Sequence, residues 1–238
     1  FGLMALITAA AILIAVRLDA LVVAALGMLG GFVAPLLFPG VQDNTLALFS
    51  YVALLDLGLL AATRGGRWRW LAPAAAFGTA VLMVRWYDQF FQAGKYFDGP
   101  LTLVPMGILL GLLALFTAAA WWRRKSDDSG FAVAAAAIGM SALAMVFAFA
   151  CLAYGPIATR AYLLYGFVLL VNLAGVGLAV CQPRLVPAQK ILTALAFIHI
   201  FAWTWFRLQP DLLTSALVVY LVFGAMHAIL PVVMHRRQ

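Results

Sequence analysis

The chain has 238 residues, of which 66% are hydrophobic and 10% charged, and its mean hydropathy is +1.07. A soluble domain carries roughly a quarter charged residues, and a globule this small has too much surface to cover with so few, so a water-soluble fold is excluded. All 8 acids are Asp, which removes every Glu-based site, and the net charge of +7 sits in short basic clusters between apolar runs, the pattern of membrane topology rather than of a nucleic-acid groove.

A spanning helix needs about 20 mainly apolar residues. Nine segments qualify, with ends good to a few residues: 2–16, 20–38, 46–63, 70–84, 101–122, 131–154, 161–180, 191–206 and 212–234. Residues 1–238 therefore read as a single transmembrane domain, an all-α polytopic bundle. No run alternates with period two, which excludes a transmembrane barrel. Inside hydrocarbon, helices are then what remains to satisfy the backbone. The chain opens on Phe1, inside an apolar run and without a basic leader, so a signal peptide is not expected and a piece of a longer protein is.

Lys and Arg divide unevenly between the two ends of these segments. The odd-numbered connections and the C-terminus hold 11: Arg17; Arg64, Arg67, Arg69; Arg123, Arg124, Lys125; Arg184, Lys190; Arg236, Arg237. The even-numbered connections hold 4: Arg85, Lys95, Arg160 and Arg207. The excess predicts that the odd side is cytoplasmic, with this chain's N-terminus outside and its C-terminus inside. The longest outer connection, 85–100, reads RWYDQFFQAGKYFDGP, with Trp86, Phe90 and Phe97 near one helical face. Aromatic side chains favour the headgroup layer, so this segment is expected to be interfacial; the alternative is a lid.

An internal parallel repeat of four helices is also suggested. Leu54-Leu55-Asp56-Leu57 and Leu170-Val171-Asn172-Leu173 lie 116 residues apart on the third and seventh segments; Phe49 aligns with Tyr165, and Pro39-Gly40 with Gly155-Pro156.

The second and third segments carry Gly27-Met28-Leu29-Gly30-Gly31-Phe32-Val33-Ala34-Pro35-Leu36-Leu37, then Leu48-Phe49-Ser50-Tyr51-Val52-Ala53-Leu54-Leu55-Asp56-Leu57-Gly58, then Arg67-Trp68-Arg69-Trp70. Over residues 21–71 this resembles the bacterial DUF2339 family of predicted polytopic membrane proteins. The resemblance implies an inner-membrane location, and members longer than this chain. It implies no activity and no catalytic residue.

Asp56 is the sharpest chemical feature, an acid between Leu55 and Leu57 near the middle of its segment. An ionised carboxylate there costs several kcal/mol unless it is paired, solvated or protonated. It reads either as a protonation or cation site, or as a neutral group bonded to a neighbouring helix. His199, in the middle of the eighth segment, and His227, in the ninth, could titrate or exchange a proton with Asp56. Neither has a second ligand at i+3 or i+4, so no metal site is expected, and no cofactor. Asn172 would mirror Asp56 if the repeat holds, and reads otherwise as an interhelical hydrogen-bonding group; Tyr51 lies 5 residues before Asp56 and would help line the same polar pathway. Asp43 could serve a lipid-linked glycosyltransferase as base, but an N-cap explains it better. Cys151 and Cys181 have no metal or redox spacing and are expected to pack as small apolar groups. Gly107-x-x-x-Gly111 and Gly27-x-x-Gly30-Gly31 let helices approach closely.

There is no phosphate-binding glycine loop and no nucleophile elbow. Three functions remain. The first is a transport or translocation module with a polar pathway through Asp56, Tyr51, Asn172, His199 and His227. The second is a non-catalytic scaffold, and the third an enzyme acting on lipid-linked substrates. The expected partners are membrane lipids and other membrane or envelope proteins, with no nucleic acid.

Overall fold

The computed structural model describes residues 7, 10, 11, 14, 17, 18, 20–37, 43–63, 68–97, 99–123 and 128–235. Among these the chain is helical, with no strand. The long helices are α1 (Leu21–Leu37), α2 (Thr45–Ala62), α3 (Leu71–Phe90), α4 (Leu103–Trp122), α5 (Asp128–Leu152), α6 (Ala161–Cys181), α7 (Val186–Arg207) and α8 (Leu213–His235). A single helical turn, Gly155–Ala158, lies between α5 and α6. One-turn 3-10 pieces at Pro100–Thr102, Pro183–Leu185 and Pro210–Leu212 lead into α4, α7 and α8. Each opens on a proline, whose missing N–H is no loss at a helix start.

These helices fall on the second to the ninth expected segments. The first segment, 2–16, lies almost wholly outside the described residues, as do Arg64, Arg67, Arg124, Lys125, Arg236, Arg237 and the Pro39-Gly40 pair. Among the described residues, six stretches are long and apolar enough to cross a membrane: Thr45–Ala62, Pro100–Trp122, Gly130–Leu152, Ala161–Cys181, Pro183–Arg207 and Pro210–Ala228. Helix α1 is apolar but shorter, at 17 residues. Helix α3 reaches 20 residues by running past the expected end at Val84 to Phe90. Apolar character stops at Arg85, but Arg85, Asp88 and Gln89 can continue a helix, because propensity and hydropathy are separate properties. An exposed Arg85–Asp88 pair at 3.5 Å sits in that extension.

The chain forms two compact units, residues 1–92 with 111–140, and residues 93–110 with 141–238, so α4 and α5 contribute to both. In the first unit α3 packs on α2 and on α1. Its contact face is made of small side chains, with Ala72, Ala75 and Ala76 buried beside Leu71, Leu82 and Met83. Between helices in lipid, close packing and hydrogen bonds replace the hydrophobic drive, so small residues belong at such a face. Gly78 shows how close the approach is: a Cβ there would fall 2.6 Å from ring carbons of Phe32 on α1.

In the second unit α6 packs on α7 and on α8. Leu164, Val168 and Val171 of α6, Ala196, Ile200 and Trp203 of α7, and Phe223 of α8 form its buried centre. Gly175 of α6 is the counterpart of Gly78, since a Cβ there would fall 2.1 Å from the Gln189 side-chain oxygen on α7. Large apolar side chains such as Phe77, Trp122, Phe201 and Trp205 are exposed, as lipid-facing positions must be.

Candidate functional site

In the first unit the buried polar centre is Asp56. It is 0% exposed and faces α3, where the Thr79 hydroxyl donates to its Oδ2 at 2.7 Å. Its other oxygen, Oδ1, has no partner among the described residues. A fully enclosed carboxyl with one oxygen unserved is an uncommon arrangement, because leaving a buried polar atom unsatisfied costs about 1–3 kcal/mol. Thr79 was not singled out in the sequence. A threonine in an alanine-rich helix has no signal of its own, and only the packing of α2 on α3 makes it the partner of Asp56.

Tyr51 lies buried on α2, 5 residues before Asp56. Its hydroxyl donates to the Gly31 carbonyl of α1 at 2.8 Å. The two residues thus tie α2 to different neighbours, Tyr51 to α1 and Asp56 to α3.

At the start of α2 the cap falls one residue later than expected. Asn44, not Asp43, is the N-cap, its side chain accepting from the Ala47 N–H at 3.4 Å. Asp43 instead reaches across to α3. Its Oδ1 accepts from the Thr45 hydroxyl at 2.5 Å and from the Trp86 indole N–H at 3.2 Å. Trp86 is 2% exposed and meets Phe49 edge to face at 5.8 Å. Its burial reflects the helical continuation of α3, which carries the first residues of segment 85–100 back over α2. In the rest of that segment, Tyr96 and Phe97 are also buried, and Phe97 packs on Tyr154 with ring centres 4.1 Å apart.

Two arginines serve helix C-termini. Arg123, just past α4, donates to the Leu60 carbonyl at 2.6 Å and to the Thr63 hydroxyl at 2.5 Å, at the end of α2. In the second unit Arg207 donates through Nε and Nη2 to the Leu152 carbonyl at 3.2 and 3.0 Å, and through Nη2 to the Ala153 carbonyl at 3.0 Å, at the end of α5. The last carbonyls of a helix have no partner within it, and a cation there also meets the negative end of the helix dipole.

The other three sequence candidates lie in the second unit. Asn172 is 0% exposed, and its Nδ2 donates to Val168 O of its own helix at 3.1 Å, while Oδ1 has no partner among the described residues. His199 is also 0% exposed, with Nε2 at 3.1 Å from Ala148 O and Phe149 and Tyr165 at its ring edges. A carbonyl only accepts, so Nε2 carries a proton and donates it, while Nδ1 has no partner among the described residues.

His227 has the opposite tautomer by the same logic. Its Nδ1 meets Phe223 O at 2.8 Å and therefore donates; Nε2 then accepts from the Thr193 hydroxyl at 3.1 Å. Thr193 in turn accepts from Gln189 Nε2 at 3.4 Å. A directed chain, Gln189 to Thr193 to His227, thus joins α7 to α8. Gln189 and Thr193 carry no charge and do not titrate, so neither property marks them in the sequence. Their spacing of four residues on α7 was the available signal.

Cys151 is buried and Cys181 half-buried. Among the described residues, no three His, Cys or Asp side chains gather at one point.

A family model described as "Predicted membrane protein (DUF2339)" matches residues 1–159. That is about two thirds of the chain and runs well beyond residues 21–71. The chain belongs to this family and is a multi-pass membrane protein. The match takes in Asp56, Tyr51 and Thr79, and ends before Asn172, His199 and His227. No curated protein and no solved structure matches the chain.

Proposed function

We propose that this DUF2339 member is a transport or translocation module of the bacterial inner membrane, with Asp56 as the group that gives up and regains a proton or meets a cation. The observation that supports it most is the pairing at Asp56, enclosed at 0% exposure with Thr79 on Oδ2 and, among the described residues, no partner on Oδ1. Intramembrane acids are rare because they are costly, and where they occur they mark ion and proton routes. A carboxyl held on one side by a hydroxyl keeps its other oxygen for a visiting proton, water or cation. Tyr51 positions α2 against α1; Asn172, His199 and His227 supply further polar groups in the second unit. The orientation that goes with this reading has the chain's N-terminus outside and its C-terminus cytoplasmic, on the strength of the 11 to 4 division of Lys and Arg.

The test uses the full-length protein in proteoliposomes, with a trapped pH dye and an imposed potassium diffusion potential. Wild type is expected to move protons, and Asp56→Asn to lower the rate about tenfold or more, since the variant keeps shape but cannot cycle a proton. Equal rates for the two proteins, with equal insertion, would end this reading.

The same pairing favours a second function, a non-catalytic scaffold for envelope partners. Asp56 to Thr79 and Tyr51 to Gly31 are both bonds between helices, as packing groups would make. The scaffold reading expects the double variant Asp56→Leu, Thr79→Val to retain every cellular role of the protein. The enzyme reading has less to stand on, because Asp43 is engaged by Thr45 and Trp86.

A further inference from the structure

At one end of the second unit, the ends of α5 and α7 enclose an open cleft of about 500 Å³ lined by Leu152, Ala153, Ala202, Trp203, Phe206 and Arg207. Five of these are apolar, and the sixth is a cation at the rim. The rim is built to stay in place. Arg207 uses Nε and Nη2 on the last carbonyls of α5, while Nη1 makes no hydrogen bond among the described residues. Trp203 is 0% exposed and is locked by its indole N–H on Ala158 O at 2.8 Å.

The surroundings set the depth. Trp205 and Phe206 are 73% and 75% exposed beside the cleft, and Tyr162, at the start of α6, is 60% exposed. Helices α6 and α7 are joined by a short connection and pack on each other, which brings the start of α6 to the end of α7. Exposed Trp and Tyr with Arg at helix ends are the marks of the headgroup layer. A cleft at that depth, with oily walls and one fixed guanidinium, presents two chemistries at once: room for a hydrocarbon chain, and the N–H groups of Nη1 on a held cation for an oxyanion.

We infer that this cleft binds an anionic phospholipid, one acyl chain lying between α5 and α7 and the phosphate on Nη1 of Arg207. The bound lipid closes the seam at the end of α5 that Arg207 holds only through carbonyls. The site is independent of Asp56, which lies in the other unit.

The experiment measures spin-labelled phosphatidylglycerol and phosphatidylcholine bound to the full-length protein in nanodiscs. Wild type is expected to prefer phosphatidylglycerol about fivefold, the ratio one arginine near a surface supplies. Arg207→Gln should abolish the preference, and Arg207→Lys should keep only part of it, because the charge remains while the clasp that fixes it on the α5 carbonyls is lost. Ala202→Phe should expel both lipids by filling the cleft while leaving the arginine and its carbonyl bonds in place; circular dichroism checks that it folds. Wild type without a preference, or Ala202→Phe binding as wild type does, overturns the proposal. Competition by glycerol phosphate as strong as by the lipid also overturns it, since the site would then read a free phosphate and not a chain.

Discussion

The buried polar groups of the two units are arranged on different plans. In the first unit, a single carboxyl is closed in by helices and served by one hydroxyl, Thr79, on one oxygen. In the second, neutral groups are strung in sequence, Gln189 to Thr193 to His227, and the imidazole at the end is half-buried. An isolated acid puts all of its cost at one point, so whatever relieves it has a large effect there. A chain of neutral groups spreads small contributions over two helices and can reverse direction by rotating a hydroxyl. The glycines follow the same division: Gly78 faces the rigid ring of Phe32, and Gly175 faces the amide end of the flexible Gln189 side chain.

That contrast can be broken most directly at the glycines. Gly78→Ala is expected to cost about 3 kcal/mol or to prevent folding, because an aromatic ring packed between helices cannot withdraw. Gly175→Ala should cost about 1 kcal/mol, because the amide of Gln189 is the end of a flexible side chain and can swing away at the loss of its 3.4 Å bond to Thr193. Denaturation in mixed micelles measures both, and equal losses would show that the two contacts have the same stiffness.

Thr79→Val should come next, at about 2 kcal/mol, because it leaves both oxygens of the Asp56 carboxyl without a donor. In the Asp56→Leu background the same change should be nearly free. The cycle of the four proteins isolates the coupling, and a zero coupling would mean the bond contributes nothing.

Thr193→Val interrupts the second-unit chain at two bonds and is expected to cost about 1 kcal/mol, the scale of hydrogen bonds between helices in membranes. Tyr51→Phe removes the bond to Gly31 O and should cost about 0.6 kcal/mol. A larger loss for Tyr51→Phe than for Thr79→Val would reverse the ranking of the two anchors of α2.

The helices were largely legible in the sequence because an apolar run of about 20 residues is a strong and local signal. The expected segments 46–63 and 161–180, for instance, became Thr45–Ala62 and Ala161–Cys181. The exception, α3, went on past Arg85 because hydropathy registers charge, and the helix does not end at a charge. Asp56 stood out for the same local reason, as one acid in an apolar run. What it touches did not, because its partner lies 23 residues away on another helix. The suggested repeat pairs Asp56 with Asn172, yet their bonding differs: Asp56 accepts from a different helix, and Asn172 donates to its own. Similar letters at matched positions do not specify which neighbour a side chain will reach.

Arg123 and Arg207 each grip the finishing carbonyls of a neighbouring helix. A lysine at either place would cast the same vote during insertion, since the machinery that orients a nascent protein counts positive charges. It could not reproduce the planar fork that bridges two acceptors. Arginine-to-lysine exchange at these positions therefore separates two events in the life of the protein, being threaded the right way round and staying clasped afterwards.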